Sequence, residues 1–294
     1  MCNLNILYKR NGKTDITSFL MSVSSHSYIR NNHADGIYIS SSDKCITHKD
    51  KIDYYDFKTD IEKSKLVISH QRISTSGFEK EFNQPFSNKN FVLVHNGIIN
   101  QFLDKNKGSD TFGFWTQFNK EFNSQNGNRQ KRIIDILKEL FKKDEGSYSI
   151  LIYDKISKLS YYFKSNSTDI NFYTNKDYLF ITTEDDNKAF LSLLSKKDFI
   201  ELKIEPRKIY LIDKLSSVFL LDNFPKVEQT KTETKIFNYY RDTWKDAREH
   251  AISTETTQDA REDANLQEFY SSYGKTRDID GNISFNSDNF DYRI

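Results

Sequence analysis

A cysteine stands in second place, in MCNLNILY, directly behind the initiator methionine, in a chain whose one other cysteine is Cys45. Initiator methionine is removed efficiently when the next residue is small, so processing would leave Cys2 with a free α-amine. A thiol needs a base to become the reactive thiolate, and an α-amine with a pKa of about 8 is a better base at neutral pH than most side chains. Nucleophile and base then belong to one residue: the amine takes the thiol proton, directly or through water, and returns it to the leaving group. Read without companions, the same cysteine is an inert residue at the head of a first strand, NLNILY.

Companions follow in chain order. In SHQRISTSG, Arg72 comes just past the strand KLVIS, where a fixed guanidinium can meet a carboxylate through two parallel hydrogen bonds or simply form a surface ion pair. In FVLVHNGIINQF, Asn96 and Gly97 follow an apolar strand. Asn-Gly is first a turn signal, yet the side-chain amide of Asn96 and the backbone N–H of Gly97 can also supply two donors to a developing oxyanion. Asp110, in KGSDTFGFW, stands before a helical stretch as an N-cap or as an anion for a substrate ammonium.

These residues need a frame of strands and helices. Seven runs dense in β-branched and aromatic residues read as strands: 65–69, 91–94, 149–153, 159–163, 178–182, 209–212 and 218–221. The loops DKISK and DKLSS join four of them into two hairpins, which makes the sheet at least partly antiparallel. In KRIIDILKELFKKDE, Ile133, Ile136, Leu137, Leu140 and Phe141 recur at three and four, which predicts an amphipathic helix. TDITSFLMSVSSHSYI, DTFGFWTQFNKEF and NKAFLSLLS are further helical candidates, and the whole reads as α+β. Residues 224–294 are polar with scattered aromatics, an extension expected to be partly helical, over RDTW to QEFY, or disordered.

The ordered set MCNL, HADGIYIS, SHQRISTSG, NQPF, VLVHNGIIN, GSDT and GSYSILIYD resembles the class II glutamine amidotransferase domain, an N-terminal-nucleophile hydrolase. The resemblance covers residues 1–223 and ends near EPRKIYLID, which looks like the family's closing strand. It implies a four-layer αββα sandwich that hydrolyses L-glutamine to glutamate and passes the ammonia to a second site. It makes Cys2 the nucleophile, Asn96 and Gly97 the oxyanion hole, Arg72 the ligand of the glutamine α-carboxylate and Asp110 that of its α-ammonium. Thr75 would line the glutamine pocket, and His95 would pack or hydrogen-bond beneath the loop. NQPF is closer to the phosphoribosylamine-forming branch than to the sugar branch. The chain departs from the family at Asn32 and His33, which replace an arginine and a glycine before Asp35 and Gly36. That arginine supports the nucleophile strand in many members, and Arg30 is the nearest substitute. Ile73 and Ser76 also replace an aromatic and a histidine.

Composition narrows the alternatives. With 43 basic and 42 acidic residues the net charge is +1, which gives no field to recruit nucleic acid or an anionic membrane. No apolar run reaches the roughly 18 residues that span a bilayer, and no secretory signal leads the chain, so a soluble cytoplasmic protein is expected. Cys45 reads as a structural or surface thiol, and His26, His33, His48 and His70 lack metal spacing; neither metal nor cofactor is expected. The roughly 70 residues after the domain are too few for a synthase domain, so the acceptor of ammonia is expected on a separate protein. The competing readings are a degenerate fold acting as an interaction protein and an N-terminal cysteine hydrolase of another amide.

Overall fold

Alternation along the strands and a single apolar stripe on each helix sort the side chains into four layers. The computed structural model of the chain describes residues 2–12, 15–73, 79–103, 108–143, 146–225, 275–277 and 283–285. In chain order the elements are β1 (Asn3–Lys9), α1 (Ile16–Arg30), β2 (Ala34–Ile39), β3 (Lys44–His48), α2 (Lys58–Lys63), β4 (Leu66–Arg72), β5 (Phe86–Ser87), β6 (Phe91–Ile99), α3 (Asp110–Ser124) and α4 (Arg129–Leu140). They continue with β7 (Gly146–Asp154), β8 (Leu159–Lys164), β9 (Asn171–Thr174), β10 (Tyr178–Thr182), α5 (Leu191–Leu194), β11 (Ile200–Leu202), β12 (Lys208–Ile212) and β13 (Val218–Asn223).

One sheet runs β11-β9-β10-β1-β4-β2-β3 and the other β13-β12-β8-β7-β6-β5. Between the sheets lie Leu4, Ile6, Leu66 and Ile68 against Val92, Val94, Leu151 and Tyr162. The alternate residues Leu7, Ile37 and Val67 turn outward and pack under Phe19, Leu20 and Val23 of α1. On the second sheet Phe91, Leu93 and Ile150 turn outward against Phe114 and Phe118 of α3 and Ile133 and Leu137 of α4. The order is therefore α, β, β, α, the four-layer sandwich expected above.

Most of the anticipated elements form. The α4 stripe buries Ile133, Ile136 and Leu137, with Asn128 as its cap: its side chain accepts from the Lys131 N–H at 3.0 Å. The loops DKISK and DKLSS do close the antiparallel pairs β7–β8 and β12–β13. NKAFLSLLS is split: its first four residues belong to a 3-10 turn over Asp185–Phe190, and the next four form α5. In the first unit five described strands fall outside the seven runs besides β1: β2 and β3, which pair with each other, and the short β5, β9 and β11.

The chain separates into a unit of residues 1–227 and a second of residues 228–294. In the first, Phe224 packs on Phe141 and Phe163, so the core continues one residue past β13. In the second, β14 (Lys275–Arg277) and β15 (Ile283–Phe285) form an antiparallel pair. The helical candidate RDTW to QEFY lies outside the described residues. Among the described residues no helix is long and apolar enough to cross a membrane.

Candidate active site

β1 and β4 are antiparallel neighbours, with Asn3 opposite Gln71 and Leu4 opposite His70. That register carries Cys2 alongside the end of β4, where its thiol donates to the Ile73 carbonyl at 3.5 Å. Leu4, Leu66 and Ile68 face the second sheet, and the same alternation turns Cys2, His70 and Arg72 to that inner side. Burial pushes the Cys2 thiol up from its ordinary range; the Arg72 charge opposes this and the Asp110 charge adds to it. At neutral pH such a thiol stays protonated until a base removes the proton, the situation an adjacent α-amine would relieve.

Arg72, the last residue of β4, is only 6% exposed, and its Nη1 donates to Asn83 Oδ1 at 2.9 Å. Burial lowers its pKa while the charges of Cys2 and Asp110 raise it. Asn83 begins NQPF, and the next side chain, Gln84, reaches two other elements. Its Oε1 accepts from the His95 N–H at 2.7 Å, and its Nε2 donates to Thr111 Oγ1 at 3.3 Å. This turn approaches β2 so closely that a Cβ on Gly36 would lie 1.9 Å from the Gln84 carbonyl oxygen. The Gly of HADG is thus fixed by contact with NQPF. His33, one of the departures from the family pattern, donates its N–H to the Arg72 carbonyl at 3.0 Å.

Asn96 and Gly97 do not form a turn: both lie within β6, opposite Ser149 and Tyr148 of β7. Gly97 has φ +120° and a Cβ there would meet the Ser147 carbonyl oxygen at 1.9 Å, so both conformation and space require glycine. Asn96 is buried and its Oδ1 has no hydrogen-bond partner. His95 is buried too, with Nδ1 2.8 Å from Thr111 Oγ1. Burial lowers its pKa, against the pull of Asp110. His70 is fully buried with neither ring nitrogen bonded, and burial and then the Arg72 charge push it down to about 3. Both rings are neutral at physiological pH.

Asp110 is not the cap of α3; that position is Ser109, and Asp110 is the first helical residue. Its Oδ2 accepts from the Ile99 N–H and its Oδ1 from the Thr111 N–H, both at 2.7 Å, which ties the end of β6 to the start of α3. The fold therefore brings Cys2, Arg72 and Asp110 within electrostatic reach of one another, with Asn96 on the facing sheet. Thr75 lies outside the described residues.

The reverse side of the same strands is polar as well. Asp35 accepts from Ile52 N–H, Gln71 Nε2, Tyr54 Oη and Ser24 Oγ, and burial raises its pKa to about 6 against these bonds. Asn5 donates to Gln71 Oε1 at 3.0 Å and accepts from Thr182 Oγ1 at 2.8 Å. Arg30, the nearest substitute for the family's arginine, ends α1 and pairs with Glu184 and Asp186. Ligand atoms of His26, Glu184 and Asp186 lie within 4.8 Å of one another, but the Arg30 guanidinium already holds both carboxylates. Sequence reasoning passed over Asn83, Gln84, Thr111 and Glu184; NQPF alone carried a signal for the first two.

Comparison of the sequence with protein-family models and with curated proteins returns no match. Comparison of the fold with solved structures does. Glutamine phosphoribosylpyrophosphate amidotransferase from B. subtilis, complexed with ADP and GMP, superposes with a TM-score of 0.53 at 17% identity, over 78% of this chain and 50% of that one. The structure described as the allosteric regulatory enzyme of purine biosynthesis gives 0.54 at 15% identity, over the same shares. The chain thus spans about half the length of these structures. Two antiparallel sheets stacked between helical layers give this chain the four-layer fold of the glutamine amidotransferase structure that it matches.

Proposed function

We propose that this chain is a class II glutaminase domain that hydrolyses L-glutamine to glutamate and ammonia through a thioester on Cys2. The observation that carries the reading is the mutual electrostatic reach of Cys2, just before β1, Arg72, at the end of β4, and Asp110, at the start of α3. One cation for a carboxylate, one anion for an ammonium and a thiol between them suit an α-amino acid whose side-chain amide is delivered to sulfur.

Removal of Met1 frees the Cys2 α-amine, which takes the thiol proton. The thiolate attacks the carboxamide carbon, and the new oxyanion is met by the Asn96 amide and the Gly97 N–H. The protonated amine returns its proton to the leaving nitrogen, the C–N bond breaks and ammonia departs. Water, deprotonated by the same amine, attacks the γ-glutamyl thioester; glutamate leaves and the thiol is restored. The buried His70 and His95 stay neutral and take no proton in this cycle. Ammonia then goes to an acceptor site on a separate synthase in the cytoplasm.

Glutamate and ammonia formation from glutamine, compared between processed protein and a form that retains Met1, tests the reading. Turnover in the processed form and at least about a thousandfold less in the Met1-retaining form is expected, since nucleophile and base act as one unit. Equal turnover in the two would remove the α-amine from the mechanism.

A further inference from the structure

We infer that Glu184 is a positioning residue for the nucleophile: it grips the back of the strand whose front carries Cys2, and Arg30 holds it there. The inference rests on the glutaminase reading for its effect on turnover, and on geometry alone for its effect on the thiol. Asn3 has its side chain on the face opposite Cys2, turned toward α1. It is buried, and its Nδ2 donates to Glu184 Oε2, which also accepts from Ser27 Oγ at 3.5 Å. The other carboxylate oxygen, Oε1, accepts from Arg30 Nη1, while Arg30 Nη2 donates to Asp186 Oδ2 at 2.9 Å.

Three features make this more than an ordinary ion pair. Asn3 is the last residue of β1 registered with β4, and on the other edge the β10 register ends at Asn5. Beyond it the segment after Thr182 takes over: Leu4 N–H donates to Thr183 Oγ1 at 3.0 Å, Thr183 N–H to the Leu4 carbonyl at 3.2 Å, and Glu184 takes the Asn3 side chain. Cys2 lies one residue past the β4 register and three past the β10 register, so the geometry of Asn3 sets where the sulfur sits. The carboxylate is also 9% exposed while its arginine is 55% exposed. A buried carboxylate is costly unless paired and hydrogen-bonded, and here its bonds run to one strand terminus and one helix terminus. Finally, Arg30 closes α1, where a cation also meets the negative end of the helix dipole, so one side chain couples helix, carboxylate and strand.

The test uses full-length processed protein carrying Glu184→Gln, Asn3→Ala, Arg30→Gln or Arg30→Lys. Each is read for glutamine kcat and KM, for the second-order rate of Cys2 alkylation by iodoacetamide, and for thermal midpoint. A small displacement of a reacting atom costs up to about a hundredfold, so kcat should fall about tenfold or more in the first three, with KM within about twofold. The alkylation rate should change in the same variants, and Arg30→Lys should recover part of both. Wild-type kcat and alkylation rate in all four would overturn the inference, as would a loss seen only in KM or only in the midpoint. Should wild-type protein hydrolyse no glutamine, the glutaminase reading fails while the alkylation series still decides the role of Glu184. Arg30 is more than half exposed, so its variants keep the question answerable if Glu184→Gln does not fold.

Discussion

On the side of β1 and β4 that faces the second sheet, both ring nitrogens of His70 lack partners, as does Asn96 Oδ1 on the facing strand; His95 Nε2, turned to the helix side of β6, lacks one too. On the reverse side of the same strands, Asp35 alone accepts four hydrogen bonds, and Asn5, Gln71, Thr182 and Asn187 exchange several more. The reverse side has its own exceptions, Ser69 Oγ and Asn187 Oδ1, but the asymmetry is plain. Each unsatisfied buried polar group costs about 1–3 kcal/mol, so a fold sustains a group of them where they serve something other than stability. Polar atoms left open toward a substrate, on strands whose backs are tied down, are how a preorganised site is built.

Substitutions on the two sides should therefore fail differently. Cys2→Ala should have the largest effect on turnover, a loss of glutamine hydrolysis of about a thousandfold or more with the thermal midpoint little changed, because it removes the reacting atom. Residual turnover near wild type would break the front-side assignment. Asn96→Ala should lower kcat by about 10²–10³, the usual cost of one oxyanion donor, and leave KM nearly alone. Arg72→Ala should act mainly on KM, raising it about thirtyfold, since a charge-assisted carboxylate contact is lost in ground and transition state alike. Asp35→Ala should reverse the pattern. It should cost about 3 kcal/mol in denaturant unfolding, because four donors lose one acceptor, with kcat/KM of the folded protein within about threefold.

The pH dependence of stability separates the sides further, by sign. His70 is pushed down to about 3 in the fold, from an ordinary value of 6.5. Between those values the unfolded chain takes a proton the folded one refuses, so its contribution is intact above pH 6.5 and is lost as pH falls toward 3. Asp35 is pushed up to about 6 from 3.8, so ionising it penalises the fold, and its contribution weakens as pH rises from 4 through 6. Each slope is at most about 1.4 kcal/mol per pH unit. Between pH 4 and 6 the two slopes oppose and largely cancel, so relative to wild type the unfolding free energy should fall with rising pH in His70→Gln and rise with it in Asp35→Asn; profiles identical to wild type would contradict the burial argument for both.

Much of the frame was legible in the sequence because it rests on local signals. The α4 stripe and the two polar hairpin loops are periodicity and turn chemistry, and both appear where those rules put them. β2 was not among the runs because its Asp35-Gly36 has the composition of a turn, whereas Gly36 is there to let Gln84 approach. Asn96-Gly97 has the same ambiguity, and the Ser147 carbonyl, a tertiary contact, decides it in favour of a strand. Asp110 follows the true cap by one residue, a distinction that composition does not make. The support behind Cys2 was illegible for a plainer reason: Asn3 and Glu184 are separated by 181 positions, Arg30 and Glu184 by 154, and no short-range pattern links them.

The measurement that bears most directly on the front side is the intact mass of purified protein before and after exposure to 6-diazo-5-oxo-norleucine, a glutamine-mimicking electrophile, with peptide mapping of the adduct. Loss of Met1 and a single adduct on Cys2, suppressed by excess glutamine and absent in Arg72→Ala at the same concentration, is the expected result. Retained Met1, or an unlabelled Cys2 in a processed chain, would contradict a working N-terminal nucleophile and leave the amidotransferase fold without its chemistry.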